Sequence, residues 1–191
     1  MVRIYVVDNG GQWTHREWRT LRDLDVETSI VPNTTPFQAL KKAEIQGLVL
    51  SGGAPRIGLE GTLGNCSEYL EKSKVPILGI CAGHQFMARF FGGEVKPSQV
   101  PEFGKIDLMV VEKDDPLFAG VPTTSVVWES HNDEVTVVPR DFIVLAESEN
   151  CKVQAMRHKK RKLYGLQFHP EVEHTEYGEQ IFKNFIALCE P

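Results

Sequence analysis

The amino-acid sequence predicts an α/β fold: an open, mixed, mostly parallel sheet flanked by helices, with extra antiparallel strands in its second half. Three observations carry that expectation. In the first half, short apolar runs alternate four times with helical stretches, the order that gives parallel strands joined by crossover helices. In the second half, strand-like runs follow one another with short connections and few helical stretches, the order of antiparallel pairing. The last stretch returns to helical spacing.

Residues 2–7 are β-rich and closed by Asp8-Asn9-Gly10-Gly11, so they read as a buried first strand. Residues 14–24 read as a helix with Trp18, Leu21 and Leu24 on one face. Residues 26–31 form a second strand, ended by Pro32-Asn33, and Pro36 suits the first turn of a helix running towards Ala43. The third strand, 47–50, breaks at Ser51-Gly52-Gly53-Ala54-Pro55. After a glycine-rich connection, a helix over 66–72 leads into the apolar run Pro76-Ile77-Leu78-Gly79-Ile80. That run ends in Cys81 and is followed by an apolar helix over 85–91, stopped at Gly92-Gly93. Strands are expected over 93–112, 125–128, 134–138, 142–147, 152–156 and 163–168. A closing helix over 176–188 carries Ile181, Phe182, Phe185, Ile186 and Leu188 at helical spacing and should cover one sheet face.

The 191 residues are long enough to enclose one substantial core, and residues 1–191 are expected to form a single domain. A composition of 41% hydrophobic and 25% charged residues is that of a soluble globular chain. The net charge of -5 argues against a dedicated nucleic-acid binder. Cys66, Cys81, Cys151 and Cys189 lie far apart with no CxxC pair, which fits a reducing cytoplasm better than a disulfide framework or zinc ribbon. The apolar N-terminus is too short for a signal peptide or a membrane span.

Cys81 is the residue with the clearest chemical setting. A strand, a sharp turn bracketed by Gly79 and Gly83, and a helix form the layout of a nucleophile elbow, with cysteine where many hydrolases carry serine. A nucleophilic thiol needs a base, and the base needs an orienting partner. Among six histidines, His169 is placed best: it follows the strand over 163–168, precedes Pro170, and has Glu171 two residues on. Both Cys81 and His169 would then sit beyond the carboxyl ends of sheet strands, where open α/β sheets build their sites. The Ala82 amide opens the helix after the nucleophile, where free amides and the helix dipole favour an oxyanion, and the turn at Gly52-Gly53 would add a second donor. The other three cysteines lack such settings and read as structural.

Two other patterns have plainer readings. His169, Glu171 and His174 form H-x-E-x-x-H, but past a strand end and beside a proline they would not share a helical face as zinc ligands do, so no metal is expected. The basic run over 157–162 reads as a solvated hairpin tip, with a docking patch as the alternative.

These residues resemble the class I, triad-type glutamine amidotransferases. Gly79-Ile80-Cys81-Ala82-Gly83-His84-Gln85 is similar to their G-x-C-x-G-x-Q motif, Phe168-His169-Pro170-Glu171 to their F-H-P-E, and Ser51-Gly52-Gly53 to their oxyanion loop. Within that family, Val172-Glu173-His174-Thr175, Asp8 to Thr14, Glu102-Phe103-Gly104 and Ser130-His131-Asn132-Asp133 resemble the GMP synthetase branch. Ala54 stands where the oxyanion loop commonly has proline, and Asn132 where a glycine is frequent.

The resemblance implies a flavodoxin-like fold and a catalytic triad of Cys81, His169 and Glu171. It implies backbone oxyanion donors at Gly53 and Ala82, with glutamine held by Gln85, Ser130, His131, Asn132 and Asp133. No S-G-G-x-D-S loop of an ATP-pyrophosphatase follows in this chain, so it implies a separate amidotransferase subunit. Such a subunit hydrolyses glutamine to glutamate and ammonia through a cysteine thioester. The ammonia passes to a partner ATP-pyrophosphatase subunit that converts XMP to GMP, with ATP and magnesium acting in the partner and no cofactor in this half. The rival readings are a sister subunit serving anthranilate or carbamoyl-phosphate synthesis, a free-standing γ-glutamyl cysteine hydrolase, and a non-catalytic module.

Overall fold

In a computed structural model, which describes residues 1–190, all strands join one nine-stranded mixed sheet. The first half alternates as expected: β1 (Ile4–Asn9), α1 (Thr14–Asp23), β2 (Ile30–Pro32), α2 (Phe37–Lys42), β3 (Gly47–Gly53), α3 (Cys66–Lys72), β4 (Ile77–Ile80) and α4 (Ala82–Phe90). There follow β5 (Glu94–Val110), β6 (Thr124–Val137), β7 (Phe142–Glu147), β8 (Ala155–His158), β9 (Leu163–Leu166) and α5 (Gly178–Cys189). The sheet order is β2-β1-β3-β4-β9-β8-β7-β5-β6. Pairing is parallel from β2 through β9 and antiparallel from β9 through β6. β9 is thus the seam between two kinds of sheet, and it lies beside β4.

Alternation along the strands splits the core into two layers. Ile4, Val6, Val49, Leu78 and Ile80 face α1 and α5, where Leu21, Ile181, Phe182 and Phe185 are buried against them. Val7, Leu48, Leu50 and Ile77 face the other way, towards Leu40 of α2, Tyr69 and Leu70 of α3, and Phe86 and Met87 of α4. Each large side chain so buried contributes about 1.5–3 kcal/mol. In α4, every residue from Ala82 to Ala88 is buried, as a helix enclosed on all sides requires. No helix among the described residues is long and apolar enough to cross a membrane.

Several element bounds differ from the sequence reading, each for a local reason. The two strands expected over 125–128 and 134–138 are one strand, β6, so Ser130 to Asp133 lie inside a ladder with β5 and not in a connection. The strand expected from residue 152 begins at Ala155, because Ser148 and Cys151 close a turn through Ser148 N to Cys151 O and Cys151 N to Ser148 Oγ. The strand expected over 26–31 is regular only from Ile30: the Val26 amide is spent on Leu21 O at the end of α1, and Glu27 pairs with Arg3 as an isolated bridge. α4 starts at Ala82, directly after Cys81, and not at Gln85. The basic run is only partly a solvated tip: Arg157 lies in β8 paired with Asp115, and Arg161 donates to Leu70 O and Ser73 O.

Candidate active site

Between Ile80 and Ala82 the backbone turns from strand to helix through a single residue, Cys81, at φ 50° and ψ −106°. A non-glycine residue held there is strained, and such strain persists only where its surroundings enforce it. The Cys81 amide is fastened to Leu166 O of β9 at 2.8 Å. The bracketing glycines let strand and helix meet: a Cβ on Gly79 would lie 2.7 Å from Gly83 C, and one on Gly83 would strike Leu50 O of β3.

His169 arrives from the neighbouring strand. Past the end of β9, Gln167 N donates to Gln154 O at 2.8 Å and His169 N to Trp128 O at 3.0 Å, while the Thr175 hydroxyl bonds His169 O at 2.7 Å. The chain therefore leaves the ladder along a fixed path, with Pro170 ending it. The indole of Trp13 meets the imidazole edge-on, with ring centroids 4.5 Å apart. His169 Nδ1 is 2.7 Å from Glu171 Oε1, which fixes the ring and leaves Nε2 for the thiol. A Cβ on Gly52 would lie 3.3 Å from His169 Cε1 and 3.6 Å from Cys81 Cβ, so thiol and imidazole border the same glycine. Burial pulls the imidazolium down, but the charges of Glu171 and Cys81 and their hydrogen bonds outweigh it and hold His169 well above its usual value.

The nucleophile has further neighbours. Its thiol points to Ser130 O at 3.8 Å, and Gln167 Nε2 donates to Sγ at 3.7 Å. Gln85 Nε2 donates both to Gln167 Oε1 at 3.1 Å and to Asp133 O at 2.7 Å. The Asp133 carboxylate in turn takes Arg56 Nε and the Gly58 amide at 3.0 Å. Two cavities meet at Cys81. One, of about 260 Å³, lies between Trp13, Glu17, Gly52, Cys81, His169 and Glu171. The other lies between Gly53, Arg56, Ala82, Gln85, Ser130 and Asp133.

The sequence-derived residues Cys81, His169, Glu171, Gly53, Ala82, Gln85, Ser130 and Asp133 are therefore brought around one thiol. His131 and Asn132 also border the second cavity, but both ring nitrogens of His131 are engaged, Nδ1 with Asp133 O at 3.0 Å and Nε2 with Glu102 at 2.9 Å. The H-x-E-x-x-H triplet does not converge: His174 is half exposed against the Trp128 ring. Glu102, His131 and Cys151 bring ligand-type atoms within 4.8 Å of one another, but the Glu102 oxygens are already taken by Ser148, Gln154 and His131.

Burial pushes the Cys66 and Cys189 thiols up to about 12 and raises that of Cys151 as well, so these three stay protonated and unreactive at neutral pH. The sequence reading missed Glu17, Gln167, Arg56 and Trp13. Glu17 had a visible signal: it falls four residues before Leu21, on the buried stripe of α1.

Comparison with known proteins identifies the family. The family model for class-I glutamine amidotransferases matches residues 5–189. A subunit of a glutamine-hydrolyzing GMP synthase from Thermoplasma volcanium is 52% identical over 191 residues, spanning 100% of this chain and 93% of that protein. The protein of the same name from Pyrococcus abyssi is 49% identical over 189 residues, 97% of this chain and 98% of that one. A crystal structure of a Thermoplasma acidophilum protein, provisionally assigned as the same GMP synthase subunit, superposes with a TM-score of 0.93. It shares 52% identity and covers 99% of this chain and 94% of that one.

Proposed function

This chain belongs to the class-I glutamine amidotransferase family, and from that premise we propose that it hydrolyses glutamine to glutamate and ammonia for a GMP synthase. The observation that carries the reading is the convergence at Gly52: Cys81 on a strained elbow and the Glu171-bonded imidazole of His169 flank one glycine beside two cavities.

The chemistry follows from the geometry. Cys81 Sγ, as thiolate, attacks the side-chain carboxamide carbon, and the oxygen that gains the charge is held by the Gly53 and Ala82 amides. The His169 imidazolium gives its proton to the departing nitrogen, so the C–N bond breaks and ammonia leaves a γ-glutamyl thioester. Neutral His169 then takes a proton from water as its oxygen attacks the thioester. Breakdown releases glutamate and restores the Cys81 thiolate with protonated His169. Glu171 keeps the imidazole oriented throughout. Gln85 and the Ser130–Asp133 segment line the cavity that would take the amino-acid end of glutamine, with Arg56 and Asp133 closing it.

Relatives near 50% identity are named as subunits of a GMP synthase, which supports a partner. In this reading the partner is an ATP-pyrophosphatase subunit that activates XMP with ATP and magnesium and receives the ammonia. This chain supplies nucleophile, base and orienter from its own side chains and needs no cofactor. Four free cysteines suit a reducing, cytoplasmic setting.

The test is a coupled assay of this chain with such a partner, XMP, ATP and glutamine. Formation of GMP and glutamate in equal amounts is expected, both lost in Cys81→Ala when glutamine is the nitrogen source and GMP formation restored by added ammonium. Glutamine hydrolysis that survives Cys81→Ala would overturn the mechanism. Amination of a different acceptor would overturn the assignment to GMP.

A further inference from the structure

Glu17 is 1% exposed, yet it lines the cavity that holds Cys81, His169 and Glu171. Its neighbours on α1, Thr14 and Leu21, share the buried face, so the helix carries a carboxyl group into the interior at the wall of the site. One oxygen of Glu17, Oε2, is buried without a hydrogen-bond partner. So is Oε2 of Glu171, the oxygen that does not face His169. Two carboxyl groups thus share a cavity, and each has one oxygen for which the chain offers no donor. A single proton shared between them would satisfy both.

We propose that Glu17 is a positioning residue: its carboxyl group donates that proton to the free oxygen of Glu171 and so extends the line Cys81–His169–Glu171 by a fourth member. The inference rests on the glutaminase reading of the site.

The proton belongs on Glu17 for a physical reason. Glu171 is the carboxyl group in direct contact with His169, at 2.7 Å, whereas Glu17 makes no ion pair with the imidazole and feels its charge only from a distance. Burial first, and then the like charge of Glu171, drive Glu17 well above the usual carboxylate range. The other charged groups around this line are Cys81 and His169 within the cavity and Glu129, whose charge reaches both of them. Asp23, Glu173 and Glu179 sit on the outer side of Glu171, and Asp8 bonds the Thr14 hydroxyl at the helix start. None of these supplies a donor to the free oxygen of Glu171.

The arrangement has two consequences. A hydrogen bond into Glu171 withdraws charge from it and tempers its hold on the His169 proton, which the imidazole must release as well as keep. Glu17 also brings α1 against the Gly52 loop that borders the oxyanion, since both line the cavity at Cys81.

Glu17→Gln keeps a neutral donor of the same length, and Glu17→Met keeps the volume without one. In the chain with isotope-labelled histidine, the His169 titration midpoint read by NMR should rise by about half a pH unit in Glu17→Met, since part of a charged hydrogen bond is transmitted through Glu171. It should stay in place in Glu17→Gln. The alkaline limb of glutamine turnover in the partner-bound enzyme should move in the same way, with kcat down about 10-fold in Glu17→Met and within about 3-fold of wild type in Glu17→Gln.

An infrared protonated-carboxyl band present in wild type should vanish in Glu17→Gln. That readout holds even if Glu17→Met fails to fold. A midpoint unchanged in Glu17→Met, equal shifts in both variants, or no lost band would each overturn the inference. Midpoint and band are measured without turnover, so a wild-type chain that hydrolyses no glutamine would sink the functional reading while Glu17 is still judged.

Discussion

Two carboxylate–imidazole couples are buried among the described residues, and they differ in what is left open. His169 and Glu171 meet at 2.7 Å at the end of the parallel half; His131 and Glu102 meet at 2.9 Å between β6 and β5 in the antiparallel half. In the second couple every valence is spent. Glu102 also takes the Ser148 hydroxyl at 2.7 Å and the Gln154 amide at 2.8 Å, and the far nitrogen of His131 reaches Asp133 O. In the first couple the second imidazole nitrogen is directed at chemistry and one carboxylate oxygen faces a cavity. The same pair of groups is a rivet where it is satisfied and a reactive device where it is not. The sealed couple still serves the open one, since it stiffens the β6 segment whose Ser130 carbonyl lies against the nucleophile.

That contrast is open to attack by experiment. The largest effect is expected at the open site: Cys81→Ala should lower glutamine turnover by at least about 10³-fold while leaving the melting temperature close to wild type. Applying one substitution to both couples then separates their roles. Glu171→Gln should lower kcat about 10²-fold through a misoriented imidazole, with little loss of stability. Glu102→Gln should do the reverse, because its amide would face the donors of Ser148, Gln154 and His131. A stability loss of about 1–3 kcal/mol by urea titration is expected, with kcat within a few-fold of wild type. If Glu102→Gln cost as much activity as Glu171→Gln, the distinction between rivet and device would fail.

A smaller effect sharpens the same point from within the antiparallel half. Glu129 is fully buried beside the sealed couple, with neither carboxylate oxygen bonded. Burial, followed by the charge of Glu102, raises it well above its ordinary value. Between the ordinary carboxylate value and that raised one, the folded state holds a proton the unfolded state has lost. Stability therefore falls as pH rises through this window. Glu129→Met should be close to neutral near pH ~4 and more stable than wild type by about 1 kcal/mol at neutral pH, read by thermal melts across the range. Parallel melting curves at all pH values would show that Glu129 is ionised at no cost.

The two halves also differed in how far the sequence revealed them. The parallel half was legible because its signals are local: an apolar run, a glycine on each side of Cys81, and a proline after His169. β6 was misread because its buried face is polar. Ser125, Val127, Glu129, His131, Asp133 and Val135 alternate inward as a strand requires, but four of those six are not apolar. Glu17 was overlooked for a related reason. Its place on the α1 stripe is visible in the spacing, yet a charged side chain there reads as solvent-facing until its surroundings are known. Gln167, two residues before His169, looked like an ordinary strand residue and gave no local sign that its amide meets Cys81.

The central claim is that only one of four thiols is poised as a nucleophile, and covalent labelling tests it most directly. The chain, with its synthetase partner, XMP and ATP present, is treated with a glutamine analogue carrying an electrophilic chloroketone, and its peptides are mapped by mass. The account predicts a single adduct on Cys81, slowed by glutamine, with Cys66, Cys151 and Cys189 unmodified in the folded protein. An adduct on any of those three, or an unmodified Cys81, would contradict it.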